Sequence, residues 1–96
     1  MPKGYLVANI RVTDAEKFQA FAGMAAPAIK KYGGKVLARG PSADRHEGEL
    51  SGTVMMIEFE SKKAAETFYF SVEYQAAKAV RETCSFTDLM IIEGAD

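Results

Sequence analysis

Hydrophobic residues along this chain switch between a period of two and a period near 3.6, and the order of those switches limits the fold more than any other feature. Tyr5 to Val12 alternates at period two, with Leu6, Ala8, Ile10 and Val12 on one face and Tyr5, Val7, Asn9 and Arg11 on the other. Phe18, Phe21, Ala22, Ala25, Ile29 and Tyr32 then recur at helical spacing until Gly33-Gly34 stops the pattern. Thr13 with Glu16 fits a capping box, and Asp14 adds negative charge at that helix start. Pro27 lies inside the run and predicts a bend near Ala26, because proline lacks the donor and crowds the preceding turn.

A second strand is predicted from Lys35 to Arg39, ending at Gly40-Pro41. The polar stretch from Pro41 to Gly52 exceeds an ordinary hairpin turn, a length typical of functional or mobile loops. A third strand, Thr53 to Glu60, sets Met55, Ile57 and Phe59 on one face and Val54, Met56, Glu58 and Glu60 on the other. Ser61 can cap a second helix built on Ala64, Ala65, Phe68 and Tyr69, with Ser71 restarting it along a changed axis to about Glu82. The last strand is predicted from Asp88 to Glu93.

The resulting order, β-α-β-β-α-β, is that of the split-βαβ, ferredoxin-like α+β sandwich: a four-stranded antiparallel sheet with two helices on one face. Residues 1–96 are expected to form one such domain. The face away from the helices is predicted to carry Val7, Leu37, Val54, Met56, Leu89 and Ile91. A face that apolar calls for cover, and a homodimer packed sheet to sheet, the dimeric α/β barrel, is the economical solution.

Composition narrows the partners. Apolar residues make up 48% and charged residues 26%, which suits a packed globular chain. Twelve Lys and Arg against thirteen Asp and Glu leave a formal net charge of −1, no footprint for nucleic acid or an anionic membrane. Met1-Pro2-Lys3-Gly4 leads straight into a strand, and no stretch is apolar enough for secretion or membrane spanning, so a cytoplasmic location is expected. His46 and Cys84 are the sole residues of their types and lie far apart, so no metal site is predicted, and no cofactor. Gly33-Gly34 reads as a helix C-cap rather than a phosphate loop. With Phe59 directed to the helices, the sheet lacks a stacking platform for RNA bases.

Several stretches, in order along nearly the whole chain, resemble the small bacterial family known as domain of unknown function 1330, within the dimeric α/β-barrel superfamily. They are Gly4-Tyr5, Ala26-Pro27-Ala28-Ile29 with Tyr32-Gly33-Gly34, Arg39-Gly40, Glu47-Gly48, Ile57-Glu58-Phe59, Tyr74-Gln75 with Arg81, and Glu93-Gly94. The resemblance implies the same fold and dimer. Val72 stands where the family usually has proline, a mild change at a first helical position, and the 41–52 loop is richer in polar residues than the family pattern. The wider superfamily includes haem-degrading and cofactor-independent monooxygenases and small isomerases. A haem enzyme would want a helical histidine, which this chain lacks. The oxygenases' Asn-Trp-His arrangement has counterparts only in Asn9 and His46, without tryptophan.

Three groups of residues are candidates for a site. Asn9, Arg11, Arg39, Glu58 and Glu93 alternate out of apolar neighbours and are predicted to share the partner-facing side. They can form interface ion pairs, or a polar pocket in which arginine anchors a carboxylate or carbonyl ligand. Tyr69, Tyr74 and Arg81 lie on the second helical segment, with Tyr74 and Arg81 seven apart and so on one face. A phenol and a guanidinium there could hold a carboxylate, or could pack structurally with their polar tips at the rim. His46, between Arg45 and Glu47, has the residue type of a general base but sits in a polar loop. Two functional classes fit: a small-molecule-binding barrel, with an oxygenase- or isomerase-like enzyme among its forms, or a non-catalytic homodimeric binding or accessory module.

Overall fold

The computed structural model describes residues 2–41 and 43–95. Its elements are β1 (Gly4–Val12), α1 (Ala15–Lys31), β2 (Lys35–Gly40), β3 (Thr53–Phe59), α2 (Lys62–Tyr69), α3 (Val72–Arg81) and β4 (Ser85–Glu93). The strands lie in the order β2-β3-β1-β4, each antiparallel to its neighbour, which is the ferredoxin-like arrangement expected.

Short polar side chains fix the helix starts. Asp14, not Thr13, caps α1, accepting from the Lys17 N–H at 3.1 Å. Thr13 is engaged elsewhere, its backbone N–H donating to the Cys84 carbonyl at 2.8 Å. Ser61 caps α2 through the Ala64 N–H, and Ser71 caps α3 through the Tyr74 N–H. The second helical segment is thus two helices with a break at Phe70–Ser71. Pro27 does not end α1, which is helical through to Lys31. The ring lies on the exposed side, and the carbonyl it would crowd belongs to Gly23, four residues back and also exposed.

Leu6, Ala8 and Ile10 of β1 and Ile57 and Phe59 of β3 are buried beneath the helices, as their alternation predicts. Phe68 is wholly buried, with its ring centroid 5.2 Å from Phe59, 6.3 Å from Tyr32 and 4.7 Å from Tyr74. Truncating such a side chain to alanine costs about 3–5 kcal/mol. At Gly4 a Cβ would overlap the Ser61 backbone, so glycine lets the start of α2 settle on the first residue of β1.

Two expectations about the sheet are overturned by its register. Leu89 stands opposite Ala8 and Ile91 opposite Leu6, so both point to the helices, and Met90 and Ile92 take the open face opposite Val7 and Tyr5. β4 also starts three residues earlier than predicted, at Ser85. In β2 the pairing shifts between Val36 and Ala38, leaving Leu37 as an extra residue. Beyond that bulge Ala38 faces away from the helices with Met56, and Arg39 turns toward them with Met55. Glu93 pairs with Gly4 and likewise falls on the helix side by register.

Candidate functional site

Helix packing leaves room on one side of the core. α2 lies on β1, β3 and β4, whereas α1 makes its close backbone approach to α3. Between α1 and the sheet lies a cavity of about 190 Å³. Its walls are mostly apolar, with Leu6, Ile10, Phe21, Ile29, Ile57 and Leu89 among them. The polar side chains reaching it are Arg39, Thr53, Tyr74 and Arg81.

Arg81, the last residue of α3, is only 6% exposed. Its Nη1 donates to the Tyr74 hydroxyl oxygen at 2.5 Å, and its buried Nε has no partner among the described residues. No carboxylate pairs with it among those residues. A guanidinium stays charged in proteins, and an unpaired buried ion carries a desolvation penalty of several kcal/mol. The cavity is therefore electrically primed for an anion.

The helix places the pair. Ser71 sets the start of α3, Tyr74 is its third residue, and Arg81 follows two turns later on the same face. The Tyr74 ring is packed among Phe21, Phe68 and Tyr69, with centroids 6.4, 4.7 and 5.6 Å away. Burial pushes the Tyr74 phenol above its ordinary value, and the nearby Arg81 offsets only part of that. It is thus a neutral phenol at physiological pH. Its oxygen accepts from Arg81, so its own hydrogen is free to donate to a second group.

Thr53 sits opposite Ile10 at the start of β3, and Arg39 opposite Met55 near the end of β2. Arg81 lies at the same end of the sheet, where its carbonyl accepts from the Ser85 hydroxyl at 2.8 Å and Ser85 pairs with Val12. The cavity is apolar along its length and donor-rich at that end.

The other predicted residues go elsewhere. Asn9 and Glu58 are on the open sheet face, away from the cavity. The Asn9 Oδ1 accepts from Arg45 Nη1 at 3.1 Å, and Arg45 Nη2 donates to the Gly52 carbonyl at 3.0 Å. Arg45 thereby pins the long loop against the sheet. Glu58 accepts from the Tyr5 hydroxyl at 3.3 Å, and Arg11 pairs with Asp88 at 2.9 Å. Tyr69 supports Tyr74 without lining the cavity. The His46 side chain is 82% exposed, its Nε2 3.5 Å from an exposed Asp44 carboxylate, and it does not reach the cavity. Cys84 is buried, its thiol donating to the Val80 and Arg81 carbonyls. Thr53 and Arg45 were not singled out by the sequence, and neither carries a signal there beyond strand and loop composition. Among the described residues, no helix is long and apolar enough to cross a membrane.

The architecture recurs in solved structures. A protein of unknown function from Rhodopseudomonas palustris is 17% identical, with a TM-score of 0.79 over 99% of this chain and 84% of its own. SnoaB, a cofactor-independent oxygenase from Streptomyces nogalater, is 9% identical with a TM-score of 0.71 over 100% and 96%. A dimeric ferredoxin-like protein of unknown function from Thermobifida fusca is 11% identical with a TM-score of 0.67 over 96% and 91%. At these identities the likeness is one of fold. A comparison with curated proteins found no match. The family profile described as domain of unknown function (DUF1330) matches residues 3–95, and the chain belongs to that family.

Proposed function

We propose that this protein binds a compact, largely apolar organic anion in the cavity between α1 and the sheet, with Arg81 and the Tyr74 hydroxyl on its carboxylate or phenolate oxygen. One observation carries the reading: a buried guanidinium with an unpartnered Nε and no described counter-ion lines an otherwise apolar cavity. A purely structural arginine would be expected to meet a carboxylate. Size supports the same reading. A cavity of about 150 Å³ with apolar walls accepts benzene, so about 190 Å³ accommodates one ring and a small head group.

The polar groups of the described lining are donors first, with no carboxylate and no imidazole among them. That favours recognition of an oxygen that is already anionic over abstraction of a proton by the protein. The likeness to SnoaB keeps oxygenase chemistry on a bound, electron-rich anion within this reading, as a fold-level analogy. The working unit is a homodimer joined through the open sheet face, where Val7, Val54, Met56, Met90 and Ile92 cluster. The dimeric relative supports this assembly.

Titration calorimetry with benzoate and its neutral isostere benzamide tests the proposal. Benzoate is expected to bind, benzamide to bind at least about tenfold more weakly, and Arg81→Gln to remove the preference. Equal affinity for the two, or a preference that persists in Arg81→Gln, would overturn it.

A further inference from the structure

The cavity has a second cation. Arg39 would lie on the open face if β2 were regular, and the extra residue at Leu37 turns it to the helix side, into the lining that holds Arg81. Bulges commonly re-aim one side chain beside a binding site. Among the described residues Arg39, like Arg81, has no carboxylate partner. The two differ in burial: Arg81 is enclosed, whereas Arg39 is exposed, with Val36 beside it on the same strand 40% exposed. Arg39 therefore stands at the mouth and Arg81 inside.

We infer that the ligand is a short dianion carrying anionic groups at two positions, one inside on Arg81 and Tyr74 and one at the mouth on Arg39, with its apolar body along the wall between them. This rests on the single-anchor reading above and extends it to the ligand class. Thr53, whose β3 neighbours pair with the end of β2, supplies a hydroxyl close to the outer anchor. Two like charges lining one small apolar space repel each other without a ligand, and a dianion relieves both at once. A monoanion relieves only the inner one. The outer contact is the more solvated, so salt should weaken it more.

Calorimetry with benzoate, isophthalate and terephthalate distinguishes the cases, using the intact protein and Arg39→Gln and Arg81→Gln variants checked for folding by circular dichroism. At low salt at least one diacid is expected to bind about tenfold more tightly than benzoate. Arg39→Gln should erase that advantage while leaving benzoate affinity within about twofold, and 0.5 M salt should shrink it. Diacids no tighter than benzoate, with benzoate still dependent on Arg81, would overturn the second anchor and leave the first standing. A diacid advantage that survives Arg39→Gln would also overturn it. Absence of binding by all three acids would sink both readings together.

Discussion

The Arg81 guanidinium and the Tyr74 hydroxyl meet at 2.5 Å from positions seven apart on α3, so one helix builds the whole inner anchor. The pair does not depend on distant segments coming together, and its two members can be altered separately. Tyr74→Phe removes one neutral donor to the ligand and is expected to weaken benzoate binding about five- to tenfold. Titration calorimetry reads this directly, and an unchanged affinity would mean that the phenol only props up the arginine.

Burial of the Arg81 guanidinium, unpaired among the described residues, is expected to cost the fold stability. Replacing Arg81 by Met, of similar length and without charge, is expected to abolish anion binding while raising Tm. Exchange of buried charge for packed apolar atoms is often stabilising, and about 1 kcal/mol corresponds to about 4–8 °C in a domain of this size. Differential scanning calorimetry of Arg81→Met settles the sign; a lower Tm would make Arg81 a stabilising residue.

Glu73 ties α3 to α1 by accepting from Lys31 and, at 2.9 Å, from the Tyr32 hydroxyl. The Lys31 hydrogen bond is the main cause that draws its carboxyl down to about 2, helped by its own backbone N–H and by Tyr32. A carboxylate whose pKa is lower in the folded state stabilises above its unfolded value, near 4.3, and that contribution fades as pH falls toward 2. Tm should therefore drop between pH 5 and 2, and Glu73→Gln should drop less over that interval. Parallel melting curves for the two proteins would exclude the strap as a source of acid sensitivity.

Gly52 has φ of +99°, and a Cβ there would overlap the Ile10 carbonyl. Its own carbonyl also receives Arg45. Gly52→Ala is expected to destabilise by about 1–3 kcal/mol, measured by urea unfolding, whereas Arg45→Ala should mainly speed proteolysis within the 43–51 stretch. Neither should change benzoate affinity, because neither residue reaches the cavity.

Met56 lies at the middle of the open face, opposite Val7 on one side and Ala38 on the other. Met56→Lys would place an unpaired charge in the proposed sheet-to-sheet interface, and light scattering is expected to report a dimer for the parent and a monomer for the variant. A parent that is already monomeric at micromolar concentration removes the assembly from the proposal.

The sequence discloses some of this and hides the rest for identifiable reasons. Serines before Lys62 and Val72, the alternation in β1 and the i, i+7 spacing of Tyr74 and Arg81 are local signals, and they led to the caps, the buried face and the pairing of those two residues. In β4 the run Leu89-Met90-Ile91-Ile92 is apolar at both parities, so alternation cannot say which face is buried; only pairing with β1 decides it. The cavity is the least legible part. It depends on how far α1 stands from the sheet, a product of α1 leaning on α3 through Lys31, Tyr32 and Glu73. His46 attracted notice by residue type alone, and exposure removes it from the site.

The irregularity at Leu37 makes the length of β2 as informative as its composition. Pair β2 regularly with Leu37 kept, so that Leu37 meets Met56 and Ala38 meets Met55, and the Arg39 guanidinium swings out to the face opposite the helices while Ala38 comes inward. A relative with one residue fewer between Gly34 and Gly40 would hold both arginines on the helix side with a regular strand, whereas one of full length without the bulge would keep the inner arginine and lose the outer one. The length of this short segment, taken together with its pairing, would sort such relatives by the ligands they accept.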